Sequence, residues 1–163
     1  MDMETNVQYS EQDIFTEQDI FQYEYASTGQ RFLNWLIDNL LMRFGLSWVT
    51  GYLVGLILVK LFPNFYIDMV YSKGIEFYLL VYIIAIFNYI IYYTFCEKVF
   101  SGYTLGKLIT GTKAINEDGS ELTLKGAFLR SVSRLVPFEA LSIWIGDGLW
   151  HDAWTRTMVI KTR

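Results

Sequence analysis

The sequence predicts a mainly α integral membrane protein. It reads as two long transmembrane helices, a basic amphipathic or re-entrant helix, and a small cytoplasmic strand pair. Three observations carry that prediction. Hydrophobic residues make up 53% of the 163 and aromatics 18%, with a mean hydropathy of +0.27, which is too apolar for an ordinary soluble domain of this length. Phe77 to Cys96 is an uncharged run bounded by Glu76 and Glu97–Lys98, and about 20 residues match one bilayer crossing. Arg31 to Phe62, RFLNWLIDNLLMRFGLSWVTGYLVGLILVKLF, ends in an apolar run from Phe44 to Val59.

Residues 1–26 form an acidic tail. The first 30 residues hold seven acids and no base, so the net charge of −4 belongs to this end and the remainder is mildly basic. A near-repeat, EQDIFTEQDIF (Glu11 to Phe21), spaces its Ile-Phe pairs six apart. That spacing suits neither a helix face nor a strand, so a mobile or loosely surface-bound tail is expected. An acidic terminus without an apolar core argues against a cleavable signal peptide.

Residues 27–163 read as one membrane domain. Ser27 and Gln30 make the capping box S-x-x-Q that opens the first helix. A first span over about 31–62 is roughly 48 Å long at about 1.5 Å per residue. The hydrocarbon core is roughly 30 Å thick, so the helix must tilt, bend or project. Gly51-x-x-x-Gly55 permits close approach, either to the next span or across a dimer seam. Pro63–Asn64 breaks the helix, and residues 61–74 form a short connection ending at Gly74.

The second span covers about 76–97. Tyr78, Tyr82, Tyr92 and Tyr93 sit near its ends as an aromatic belt would. Asn88 is its strongly polar mid-span residue and is expected to bond across to the first helix. Cys96, the lone cysteine, reads as a small buried apolar residue.

Residues 102–123 change texture. Leu108 to Ile115 is strand-like, and Asn116 to Ser120 reads as a turn. In a helix over 124–136, Leu124, Ala127, Phe128, Ser131, Val132 and Leu135 share one face. Lys125, Arg130, Ser133 and Arg134 fall largely on the other. Such a basic amphipathic helix suits an anionic leaflet, with headgroups at Lys125, Arg130 and Arg134. Pro137 ends it. Residues 137–150 are too short of uncharged length to span and read as interfacial or re-entrant. Residues 157–162 alternate like a terminal strand, expected to pair with Lys107–Ile115.

Bases orient the chain. Residues 60–76 carry Lys60 and Lys73, whereas Lys98 to Arg134 carries Lys98, Lys107, Lys113, Lys125, Arg130 and Arg134. The positive-inside rule puts the first connection outside, and the amino terminus and the basic segment in the cytoplasm. The strand pairing brings the carboxyl terminus to the same side.

Arg31, Asn34 and Asp38 lie at i, i+3 and i+7, so a helix sets all three on one face. Arg31 stands at a helix amino terminus, against the macrodipole, and so needs a carboxylate or a lipid phosphate beside it. One histidine and one cysteine exclude a His cluster, a Cys-based metal site and an intrachain disulfide. Gly102 to Lys107 is G-x-x-x-G-K, one residue short of a phosphate loop and lacking the following Ser/Thr. A turn feeding a strand explains it better. Asp118–Gly119 lacks the repeated carboxylates of a calcium loop. His151–Asp152 has no companion nucleophile. No cofactor, metal or enzymatic activity is expected, and no nucleic-acid partner, since anionic lipid is the simpler match for the basic helix.

Three stretches resemble the RDD family of bacterial membrane proteins, named for one arginine and two aspartates. Arg31-Phe-Leu-Asn-Trp-Leu-Ile-Asp38 is similar to the family's opening arginine and mid-helix aspartate. Gly102-Tyr-Thr-Leu-Gly106-Lys107, followed by Asp118–Gly119 and Phe128-Leu-Arg130, resembles its G-x-T-x-G-K stretch, turn and arginine-bearing helix. His151–Asp152 with Thr157-Met-Val-Ile resembles the closing aspartate and strand, although Arg156 stands where the family often has glycine. The resemblance implies an integral inner-membrane protein, with transport proposed for the family and cation/proton exchange suggested for some of its members. Arg31, Asp38 and Asp152, joined by Asn34, Glu97, Arg130 and Arg134, are expected to form a polar cluster where the helices enter the cytoplasmic leaflet.

Two readings of that cluster stay open. Asp38, tuned by Arg31, exchanges a proton for a cation, or the cluster is an architectural ion network. They give two functions. One is a small transporter-like protein moving cations or protons as an oligomer, because two spans give too few walls for a path. The other is a non-transporting membrane scaffold or accessory subunit, joined to itself or to a partner membrane protein.

Overall fold

A computed structural model of the protein describes residues 23–137 and 149–163. The interfacial or re-entrant expectation for 137–150 falls almost wholly outside them, as does most of the acidic tail.

The first long helix starts where the capping box predicts. The Ser27 hydroxyl accepts from the Gln30 amide, and the Gln30 side chain accepts from the Ser27 amide. Helix α1 (Thr28–Leu41) runs through a π-helical turn, Met42–Leu46, into α2 (Ser47–Leu61). The whole, 34 residues, is long and apolar enough to cross a membrane, as is α4 (Ile75–Val99), 25 residues. At about 1.5 Å per residue they measure roughly 51 and 38 Å.

Three sequence expectations need correction here. The connection 61–74 is itself mostly a helix, α3 (Pro63–Ser72), with Pro63 in its first turn. Proline's fixed φ suits the start of a helix as well as it ends one. Leu108 to Ile115 is a strand only in its second half: α5 (Leu105–Thr110) takes the first, and β1 (Thr112–Asn116) follows. Thr104 caps α5 by accepting from the Lys107 amide, and Gly111, at φ 68°, closes it in the left-handed region that favours glycine. Third, Gly51-x-x-x-Gly55 does not seat the second span. Gly55 meets the Tyr66 ring of α3, and nothing lies close to Gly51.

After α5 and β1 come α6 (Leu124–Ser133), α7 (Trp150–Thr155) and β2 (Thr157–Lys161). The terminal strand pairs antiparallel with β1, Thr112 opposite Lys161 and Asn116 opposite Thr157. Residues 24–26, expected in the mobile tail, instead extend this sheet along β2. Tyr25 bridges Ile160, Ala26 donates to Val159, and Lys161 donates to Glu24. Ala26, Ala114, Leu122 and Val159 form a small apolar core under the sheet.

The two long helices meet mainly near one end. Met42 packs against Tyr92, Tyr93 and Cys96, and Asn88 donates to Thr50 Oγ1 at 2.7 Å and Ser47 Oγ at 3.3 Å, the cross-span bond its position foretold. Tyr92 and Tyr93 are therefore buried rather than part of an outer aromatic belt. Farther along, no residue of α2 is buried. Tertiary structure is concentrated where α1, α5, α6, α7 and the end of α4 converge.

Candidate functional site

That convergence holds two polar constructions. The first is a chain of ion pairs through five elements. Arg31 of α1 donates to Asp152 Oδ2 of α7 at 2.5 Å. Arg130 of α6 donates through Nη1 to Asp152 Oδ1 at 2.6 Å and through Nε to Glu97 Oε2 of α4 at 3.0 Å. Glu97 Oε1 accepts from Lys107 of α5 at 2.6 Å and from Arg134 at 2.7 Å. Arg130 also bonds the Thr157 hydroxyl at the start of β2. Glu97 and Arg130 are wholly buried.

The i, i+4 spacing of Arg130 and Arg134 puts both on one face of α6. That face turns inward to Glu97, and this reverses the expected docking of the helix. Arg130 and Arg134 are ion-paired inside the protein rather than offered to headgroups, while Phe128, Leu129 and Val132 are exposed. Of the three expected headgroup contacts, Lys125 alone is exposed.

Charge within this chain is unbalanced. Among the described residues Arg31, Lys107, Arg130 and Arg134 meet Glu97 and Asp152. Arg130 Nη2 and Arg134 Nη1 are buried and hydrogen-bonded to none of the described residues, although the Arg134 guanidinium lies 4.4 Å from the centre of the Tyr93 ring. Burial lowers the Lys107 ammonium to about 8; Glu97 holds it up, while Arg130 and Arg134 oppose its charge. Burial alone would raise the Asp152 carboxyl, but Arg130, His151 and Arg31 outweigh it and hold Asp152 well below the usual carboxylate range. Burial likewise works against the Arg134 charge, and the Glu97 carboxylate overrides it, leaving the guanidinium above its usual value.

The second construction surrounds Asp38, which is 1% exposed. Its Oδ1 accepts from the Tyr92 hydroxyl at 2.7 Å and the Gly106 amide at 2.8 Å, and its Oδ2 from the Thr104 hydroxyl at 2.7 Å. The Gly106 amide belongs to the first turn of α5, so Asp38 supplies that turn with an acceptor from outside the helix. This contact needs glycine, since a Cβ at 106 would lie 2.4 Å from the Asn34 carbonyl oxygen.

The expected pairing of Arg31 with Asp38 is thus incorrect. The shared face of α1 spreads over three partners: Arg31 reaches Asp152, Asn34 sits between the hydroxyls of Thr110 and Thr112, and Asp38 holds the start of α5. Lys107, Tyr92, Thr104 and Thr157 were not singled out as site residues. Lys107 had a legible signal, because the G-x-x-x-G-K stretch places a lysine inside an apolar turn. The others are polar residues whose partners lie more than 50 positions away, except Thr157.

No group of three His, Cys, Asp or Glu side chains converges among the described residues. His151 Nε2 lies 3.3 Å from Asp152 Oδ1. Between α2 and α4 a groove of about 360 Å³ is lined by Leu46, Thr50, Leu53, Val54, Ile83, Ile84, Phe87, Asn88 and Ile91. A family model for RDD proteins matches residues 25–158. No curated protein and no solved structure matches the chain.

Proposed function

The chain belongs to the RDD family of membrane proteins, and from that premise we propose that it acts as a non-transporting membrane scaffold or accessory subunit. The observation that carries this reading is how Asp38 is held: both its oxygens accept hydrogen bonds, three in all, from groups that anchor other elements, inside a contact that buries it. A carboxylate that shuttles cations must exchange its ligands for the ion, and here each ligand also holds an element in place. The ion chain through Glu97 and Asp152 likewise fastens helices together. The unburied α2 leaves an apolar helix face for lipid, for a second copy or for a partner membrane protein.

In this reading the protein is multi-pass in the cell inner membrane. Residues 24–26 and β2 share one sheet, which supports termini on one side. The excess of bases after Lys98 makes that side the cytoplasm. Lys125 faces anionic headgroups, and no catalytic reaction is assigned.

One observation favours transport of protons or cations by an oligomer instead. Lys107 is buried within the ion chain and lowered to about 8, so it gains or loses its proton nearer neutral pH than an ordinary lysine. Proteoliposomes decide between the two. The scaffold reading expects proton and monovalent-cation flux no greater than in protein-free vesicles. Flux that disappears in Lys107→Met or Asp38→Asn would replace it with the transporter reading.

A further inference from the structure

The helices around the polar cluster are inside out relative to a water-soluble bundle. On α1, Asn34 and Asp38 are buried while Phe32 and Trp35 are exposed. On α5, Lys107 is buried while Leu108 and Ile109 are exposed. On α6 and α7, Arg130 and Asp152 are buried while Phe128 and Trp154 are exposed. Four helices make the same choice.

We infer that α1, α5, α6 and α7 form a collar seated within the cytoplasmic leaflet, its outer surface in contact with lipid at the level where headgroups meet acyl chains. Water is the wrong solvent for this surface, because it would wet large apolar side chains on every helix while ions stay buried within. Acyl chain alone is also a poor match, since Lys125 is exposed at the start of α6 and tryptophan prefers the interface. Continuity supports the depth. α1 passes without a break through the π turn into α2, so its exposed face prolongs that of the span. The collar seals the ion chain from the side with lipid, and this holds whether or not the protein transports anything.

Single-tryptophan variants that retain Trp35, Trp154 or Trp48 test it in the full chain. Each is reconstituted into phosphatidylcholine–phosphatidylglycerol vesicles with lipids brominated near the headgroup end or near the tail end of the chain, and separately exposed to aqueous iodide. Trp48, exposed on α2, reports insertion and loses emission to the deep bromines. The collar predicts that Trp35 and Trp154 lose more emission to shallow bromines than to deep bromines or iodide. Dominant iodide quenching of both, with Trp48 still quenched by lipid, would place these helices in water and overturn the inference. Shielding of both from every quencher would overturn it too, by showing that protein covers the surface. Failure of Trp48 to respond to lipid would remove the bilayer, and the collar with it.

Discussion

Glu97 and Asp38 are two carboxylates buried on neighbouring helices, and the fold keeps them by opposite means. Glu97 is surrounded by formal charge: Lys107, Arg130 and Arg134 all reach it. Asp38 contacts a phenol, a threonine hydroxyl and one backbone amide. A charge in a poorly solvated place needs either a counter-ion or enough oriented dipoles. The counter-ion solution ties distant elements by strong, long-reaching forces and leaves a surplus of cations. The dipole solution is short-ranged and geometric, so it fixes one helix start without adding charge.

The difference is open to breakage by substitution, from the larger effect to the smaller. Glu97→Gln leaves three cations gathered around a neutral amide, and thermal unfolding in detergent micelles is expected to register a loss of about 3–5 kcal/mol. A loss below about 1 kcal/mol would mean the cations are held by something else. Asp38→Ala strands one fixed donor, the Gly106 amide, and frees two hydroxyls that can turn to other acceptors, for a smaller loss of about 2–3 kcal/mol. Tyr92→Phe removes one donor and leaves the Thr104 and Gly106 contacts, at about 1 kcal/mol. Equal losses for Asp38→Ala and Glu97→Gln would erase the distinction between the two solutions.

The surplus of cations sharpens the comparison through pH. Lys107 ionises at about 8 in the fold against 10.5 for an ordinary lysine. Between those values the unfolded chain holds the extra proton, so stability rises with pH across that window, on the order of 1 kcal/mol per pH unit, and is flat in this respect below about pH 8. Unfolding curves compared at successive pH values should show this rise in the wild type and its loss in Lys107→Met. An equal rise in both would assign it to another group.

Much of this arrangement is legible in the residues. The capping box, the uncharged run from Phe77 to Cys96 and the terminal strand each depend on near neighbours or on solvent preference, and each appears as expected. α5 was misread because its Leu-Ile-Thr run favours a strand, while the decisive signals lie at its ends: Thr104 as cap and Gly111 as stop. The direction of α6 was misread for a deeper reason. Its periodicity divides basic from apolar residues, but periodicity cannot say which side the protein occupies when the surroundings are lipid. Burial of Arg130 beside Glu97 settles that for the protein, 33 positions apart in the chain.

The sequence by itself determined that two helices are long and apolar enough to cross a membrane, and which polar residues must find partners there, because solvation preference is written in side-chain chemistry. Tertiary structure alone decided the partners. Arg31 could have met Asp38 on its own helix face, yet reaches Asp152, 121 positions away. Asp38 is instead claimed by the backbone and hydroxyls that bring α5 to α1. A buried charge is satisfied by whichever group the packing delivers within hydrogen-bond reach, and packing is a property of the whole chain.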